Sequence, residues 1–364
     1  MVVSGGLGVT VAVGATVGAA LDAGDEPLSD PEQATTTKPA IADDNNSFLI
    51  GFPFPRRDSS DPDGVMDENA RMTDWQSITR RNARSVQTTI GWIFWDPGAV
   101  RRYEGLGLPE QFAGPLGYMA ARSAPLAAAG PDAVIAAFGS ISPMALRGLF
   151  GLLGDTRRFL EFWEARNEAV VAGLRDHAPD IIEPLEEFGP LLWPVVEQLP
   201  LLGRTFFAAH LGMQRSEDPL LSGWHAVNCL REWRGDTHWA LVVANGLSHA
   251  EASILHNAWM GYEADWLPKS RGTSEADLSA GWAALTTRGL ADAAGVNADG
   301  MALRRHIEQE TDRLTSLPWQ MLGEDRADWF AAAFEPPCEA LLRRVDETAG
   351  PNYQPASRLH PNTH

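Results

Sequence analysis

From Thr73 onward apolar residues recur at three- and four-residue intervals, a spacing that predicts a succession of helices. The first is expected over 75–92 and a short second over 97–103. A third, over 109–126, carries Gly114, Gly117, Ala120, Ala121 and Ala124, small residues that let a neighbouring helix approach closely. Segments 131–138 and 143–153 each begin with proline, which suits a first helical position because that N–H needs no partner. Asp155 is expected to cap a longer helix ending near residue 177. Segment 179–200 is interrupted by prolines and reads as irregular, with a short helix expected over 200–210.

The stretch 218–260 is the most informative. Asp218 and Pro219 open a helix that Gly235 should stop. Its apolar residues, among them Leu220, Trp224, Val227, Leu230 and Trp233, fall on nearly all sides, the signature of a buried helix. Asp236 is then expected to cap a second helix over 237–245, and Ser248 with Glu251 forms a capping box for a third, reaching about residue 260. Beyond it the pattern predicts a helix over 273–289, a short strand and a tight turn over 290–296, a long helix over 297–314 and a last one over 325–345. The tail from Gly350 reads as loose. The fold class expected is mainly α, a multi-helix domain followed by a winged-helix-like segment with a small β wing. The domain division expected is a disordered extension over 1–71, a helical domain over 72–246, a winged-helix-like domain over 247–346 and a flexible tail over 347–364.

Helix, loop, helix ending in Arg-Gly-Leu, short turn and long helix is the order shown by winged-helix proteins such as the MarR group. Here it is carried by WAALTTRGLADAAGVNADGMALRRHIEQETDRL, residues 282–314. With LGYMAARSAPL (116–126) and WHAVNCLREWRGDTH (224–238), the chain resembles an actinobacterial family of helix-turn-helix-containing proteins over about 73–344. The resemblance implies a fold more than a function.

Composition changes this picture in three ways. The chain holds 29 basic and 48 acidic residues, a net charge of −19, which favours solubility and repels DNA phosphates and anionic membranes. Residues 1–71 are polar, proline-rich and carry a net −8, a composition that cannot bury enough apolar surface to order itself. Met66 and Met72 stand just before the first helical pattern, where the natural start is expected. The first twenty residues lack both the basic start of a secretory signal and the strongly apolar run of a membrane helix. Two cysteines, Cys229 and Cys338, make neither a disulfide scaffold nor a zinc site. A reduced cytoplasmic protein with no membrane attachment is expected.

Two clusters of candidate chemistry follow. A winged helix reads DNA with the N-terminal half of its second helix, so Lys269, Arg271, Ser274 and Arg288 are the DNA-contact candidates. Against them, 248–316 has six basic and ten acidic residues, poor equipment for neutralising phosphates unless a homodimer gathers the basic groups on one face. The second cluster lies on the buried helix. His225, Asn228 and Glu232 fall within about 60° on a helical wheel, with Arg231, Arg234, Asp236 and His238 close in sequence and Arg122 as an outside partner. Buried charges must be paired; this set is either an ion-pair network tying helices together or the wall of a ligand pocket, with His225 and Glu232 as proton carriers. His249 and His256 are seven residues apart, too far for one metal. No phosphate loop, dinucleotide fingerprint or nucleophile elbow is present, so neither cofactor nor metal is expected. The readings are a ligand-responsive transcriptional regulator, a small-molecule-binding protein or enzyme that keeps the winged helix as scaffold, and a purely structural partner-binding protein.

Overall fold

The computed structural model describes residues 73–358. The expectations for the extension over 1–71 and for residues 359–364 of the tail lie outside the described residues. Among the described residues the protein is mainly helical, with one two-stranded antiparallel sheet.

The elements are α1 (Trp75–Gly91), α2 (Pro97–Gly105), α3 (Ala113–Ser123), α4 (Pro131–Phe138), α5 (Pro143–Leu153), α6 (Arg158–His177), α7 (Ile182–Val196), α8 (Thr205–Leu211) and α9 (Pro219–Ala244). Then come α10 (His249–Met260), α11 (Trp266–Ser270), α12 (Glu275–Thr287), β1 (Ala291–Asp292), β2 (Gly295–Val296), α13 (Ala298–Leu314), α14 (Leu317–Leu322) and α15 (Glu324–Thr348). Local chemistry places many of their starts. Asp74, Asp96, Ser142, Asp218, Ser274 and Asn297 each accept a hydrogen bond from a backbone N–H in the first turn, satisfying donors the helix leaves orphaned. The Ser248–Glu251 capping box is present on α10.

Four expectations about the helices are overturned, and a fifth about the tail. Gly235 does not stop a helix: α9 runs unbroken for 26 residues. A glycine inside a helix costs about 1 kcal/mol, far less than is gained by burying Trp224, Trp233 and their neighbours between α1, α7, α8 and α13. Asp236 therefore caps nothing; from the middle of α9 its carboxylate accepts the N–H of Phe207 at the start of α8. Segment 182–196 is not irregular but helical, with Pro190 and Pro194 inside α7. Each proline removes a backbone hydrogen bond, yet Leu185, Phe188, Leu192, Trp193 and Val196 all bury on the side that meets α9 and its surroundings. At that crossing Gly189 and Gly223 bring the backbones together, and a Cβ on Gly223 would sit 2.0 Å from the Leu185 carbonyl oxygen. Asp155 precedes α6 in a turn, accepting the N–H of Arg157 rather than capping the helix.

Two apolar cores form. The larger joins α1–α9 with α14 and α15, and α15 lies along α1, its nearly full-chain-distant partner. The smaller, built from Val242, Leu247, Ile254, Leu255, Leu278, Leu285, Ala291 and Ile307, holds α10, α12, the hairpin and α13 together. In the hairpin Ala291 pairs with Val296 and Asp292 with Gly295. The tail after α15 is not loose as far as residue 358: Gln354 and Ser357 are buried, and Tyr353 packs against Trp95 and Trp266.

Candidate functional site

Where the two cores meet, a cavity of about 1650 Å³ opens. One side is formed by α1, α3 and the middle of α9; the other by α10, the α10–α12 connection and α13; residues 352–358 close one end. The two sides are fastened beside the cavity. The Ser142 N–H donates to the Arg271 carbonyl at 3.0 Å. The His249 ring spans 2.9 Å to the Gly139 carbonyl and 3.2 Å to Thr273 Oγ1. On α13, Glu308 and Asp312 take Arg234 of α9 at 2.5 and 2.8 Å, and Asp312 takes Arg80 of α1 at 3.0 Å.

The first charged cluster is centred on Glu232, which is 1% exposed. Arg122 grips its carboxylate with two parallel bonds, Nε to Oε1 at 3.0 Å and Nη2 to Oε2 at 2.7 Å, and Arg231 Nη1 donates to Oε1 at 2.6 Å. Such bidentate, charge-assisted bonds are the strong class. Both guanidiniums also reach the Tyr118 hydroxyl, at 3.2 and 3.4 Å, and Arg122 lies 4.3 Å over the Phe138 ring. Burial acts to raise the Glu232 carboxyl, but Arg122 and Arg231 outweigh it and hold the group ionised, well below the usual carboxylate range.

The second cluster is on α13. Burial likewise opposes ionisation of Glu308, and Arg304 and Arg234 overcome it, holding the carboxyl well below its ordinary value. His238, half-buried on the cavity wall, bonds Thr311 Oγ1 at 3.2 Å and is pulled down to about 4 by burial, so its ring is neutral at pH 7. His256 is lowered well below 6.5 by burial and by Arg304 and Arg271. Arg271 itself is pulled down to about 10 by burial. Among the described residues no carboxylate lies within ion-pair distance of it, and its guanidinium has only Ser253 Oγ, at 3.5 Å.

The sequence candidates thus separate into three groups. Arg122, Arg231, Arg234 and His238 line the cavity, and so do Lys269, Arg271 and Ser274, residues singled out for DNA rather than for a ligand. Glu232 and Asp236 stand behind the wall. His225 and Asn228 lie elsewhere: His225 stacks on Trp163 at 5.3 Å and meets Asn167 Oδ1 at 3.2 Å beside a void of only about 10 Å³. That is room for a single water at most, and burial, with Arg166 and His210, pulls His225 down to about 3. Arg288 is remote from both. It donates to the Asn245 and Gly246 carbonyls at the end of α9 and pairs with Glu251 at 3.2 Å. Sequence reasoning missed Arg80, Arg84, Trp239, Trp259, Arg304 and Arg305, which also line the cavity. The adjacent pair Arg304–Arg305 was the one local signal; the rest converge only through tertiary packing.

Among the described residues no helix is long and apolar enough to cross a membrane, and no three His, Cys, Asp or Glu side chains converge as metal ligands. The fold and cavity define a mainly helical protein with a basic cleft between a larger core and a smaller helix–hairpin core. The model of a helix-turn-helix family matches residues 79–347, and the chain belongs to that family. No curated protein and no solved structure matches it significantly.

Proposed function

We propose that this is a cytoplasmic ligand-responsive transcriptional regulator of the helix-turn-helix family, with an effector bound in the basic cleft. In this reading α10, α12, the hairpin and α13 form a MarR-like winged helix, α12 is the recognition helix and 291–296 is the wing. Residues 73–246 with 317–348 make the effector-binding body. One observation carries the proposal: the cleft wall is shared, so a single bound molecule would touch α9 and α3 on one side and the entry to α12, through Arg271 and Ser274, on the other. A ligand shifts a conformational equilibrium only by its differential contacts with the two states, and a molecule bridging both cores has such contacts.

A second reading keeps the cleft and drops the DNA. The exposed face of α12 presents Glu275, Ala276, Asp277, Ser279 and Ala280, without a basic group before Arg288, and Arg288 is spent on the end of α9. This favours a small-molecule-binding protein that retains the helix-turn-helix as architecture. Selection of binding sites from a random duplex library at low salt separates the two. Enrichment of one sequence, bound with a steep salt dependence, supports the regulator, with a homodimer expected if the site is palindromic. A library that emerges unenriched removes the DNA half and leaves the scaffold reading.

A further inference from the structure

The segment that closes one end of the cleft is attached unequally to its two sides. After α15 the chain turns at Gly350, where φ is +110, a conformation that suits a residue without a side chain, and passes over the C-terminal end of α1. On that side it is well fastened. Arg84 Nε of α1 donates to the Ser357 carbonyl at 2.9 Å. Arg358 donates to the Tyr353 carbonyl at 3.0 Å and pairs with Asp346 of α15 at 2.7 Å. The Gln354 side chain lies on Gly91, where a Cβ would fall 2.1 Å from its Nε2.

On the other side, among the described residues, no hydrogen bond or ion pair joins 350–358 to the α10–α12 connection. The join is Tyr353, whose ring lies 4.3 Å from Trp95 of the larger core and 5.0 Å, edge-on, from Trp266, the first residue of α11. The far end of that connection is already fixed, since the Arg271 carbonyl accepts the Ser142 N–H; Tyr353 holds the near end. The closed position also carries its own costs. Gln354 sits at φ +60, in the left-handed region that side chains disfavour, and its Nε2, in a residue 5% exposed, has no hydrogen-bond partner among the described residues. Both costs are relieved when the segment leaves its seat, which narrows the gap between a closed and an open state.

We propose that residues 350–358 are a strap that gates the cleft, anchored on α1 and α15 and latched to α11 by Tyr353. Opening parts Tyr353 from Trp266 while the Arg84–Ser357 bond holds, and α11 swings away from the mouth about the point where Arg271 is tied to Ser142. The strap, α11 and Arg271 all line the cavity, so the movement widens its entrance. The latch works in the same way whatever the cleft binds and whether or not α12 meets DNA, and it is tested without either.

The test is amide hydrogen exchange, read by mass spectrometry on the full chain, in wild type and three variants. Tyr353→Ala is expected to speed exchange over 262–270 roughly 2–10-fold, the worth of one aromatic pair, and to leave 355–358 exchanging as in wild type. Tyr353→Phe keeps both ring contacts and should exchange like wild type throughout. Gly91→Ala drives a methyl group into the Gln354 amide and should speed exchange in 350–358 and 262–270 together, because the whole strap leaves its seat; alanine is the better helix former, so α1 itself is kept. Unchanged exchange over 262–270 in Tyr353→Ala overturns the latch. An equal rise over 355–358 in that variant means the strap has no separate anchor, and overturns the gate. Gly91→Ala without effect on either segment overturns the seat on α1. A Tyr353→Ala protein that melts several degrees lower and exchanges faster across the larger core makes Tyr353 a packing residue and overturns the proposal.

Discussion

Replacing Glu232 with Gln keeps the shape of the side chain and removes the charge on which two buried arginines depend. Arg122 is 6% exposed and Arg231 9%, and both point their guanidiniums at this carboxylate. With its oxygen at the Oε1 position the amide can still accept from Arg122 Nε and Arg231 Nη1, but its NH2 group then faces Arg122 Nη2, and the negative charge that both buried cations share is gone. Breaking a buried pair in this way costs about 3–5 kcal/mol, a large part of a total stability of about 5–15 kcal/mol. For residues 73–358 the unfolding entropy near the midpoint converts this to a fall of about 5–8 °C in melting temperature. Thermal melting and urea titration at neutral pH measure it. The pH dependence checks the cause. Glu232 has a folded pKa below its unfolded value, so its contribution is complete above the unfolded value and is lost as pH falls through the folded one. The gap between wild type and E232Q should therefore be constant above about pH 5 and close only in strong acid. Replacing the whole cluster with apolar residues, R122M/R231M/E232L, should recover most of the loss, because a buried ion pair is seldom more stabilising than well-packed hydrocarbon. An E232Q protein that melts within about 1 °C of wild type would refute the assignment of this cluster as a closed, interdependent network.

His225→Gln should lower stability without changing ligand binding, since the ring packs on Trp163 away from the cleft; a loss of affinity for a cleft ligand at unchanged stability would contradict this. Asp236 is pushed up to about 7 by burial. Its folded pKa lies above the unfolded value, so its favourable contribution is present below about pH 4 and is lost as pH rises through 7. Asp236→Asn should accordingly be more stable relative to wild type at pH 8 than at pH 5, and urea titrations at the two values decide it; an unchanged difference would mean the carboxyl titrates normally.

The mainly helical class, most helix starts and the capping box of α10 follow from local sequence, because caps and 3.6-residue periodicity depend on residues a few positions apart. The burial of α9 was equally legible, as a helix apolar on every side has nowhere else to go, and the Arg122–Glu232 contact follows from the need of a buried carboxylate for a cation. What the sequence could not say is how far packing overrides a local breaker. Gly235, Pro190 and Pro194 signal ends, yet α9 and α7 continue through them, since the apolar surface each buries outweighs a cost of about 1 kcal/mol for the glycine and about 3 for a proline. Nor does any local pattern bring Arg80, Arg122, Arg234, Arg271 and Arg304 around one cavity, or separate His225 from it. Residues 60° apart on a wheel can face different neighbours once α6 covers one flank of α9 and α13 another. The candidates read as two sites, one for DNA and one for a ligand, share a wall because the connection before α12 docks on the N-terminus of α5, a contact made between residues 129 positions apart.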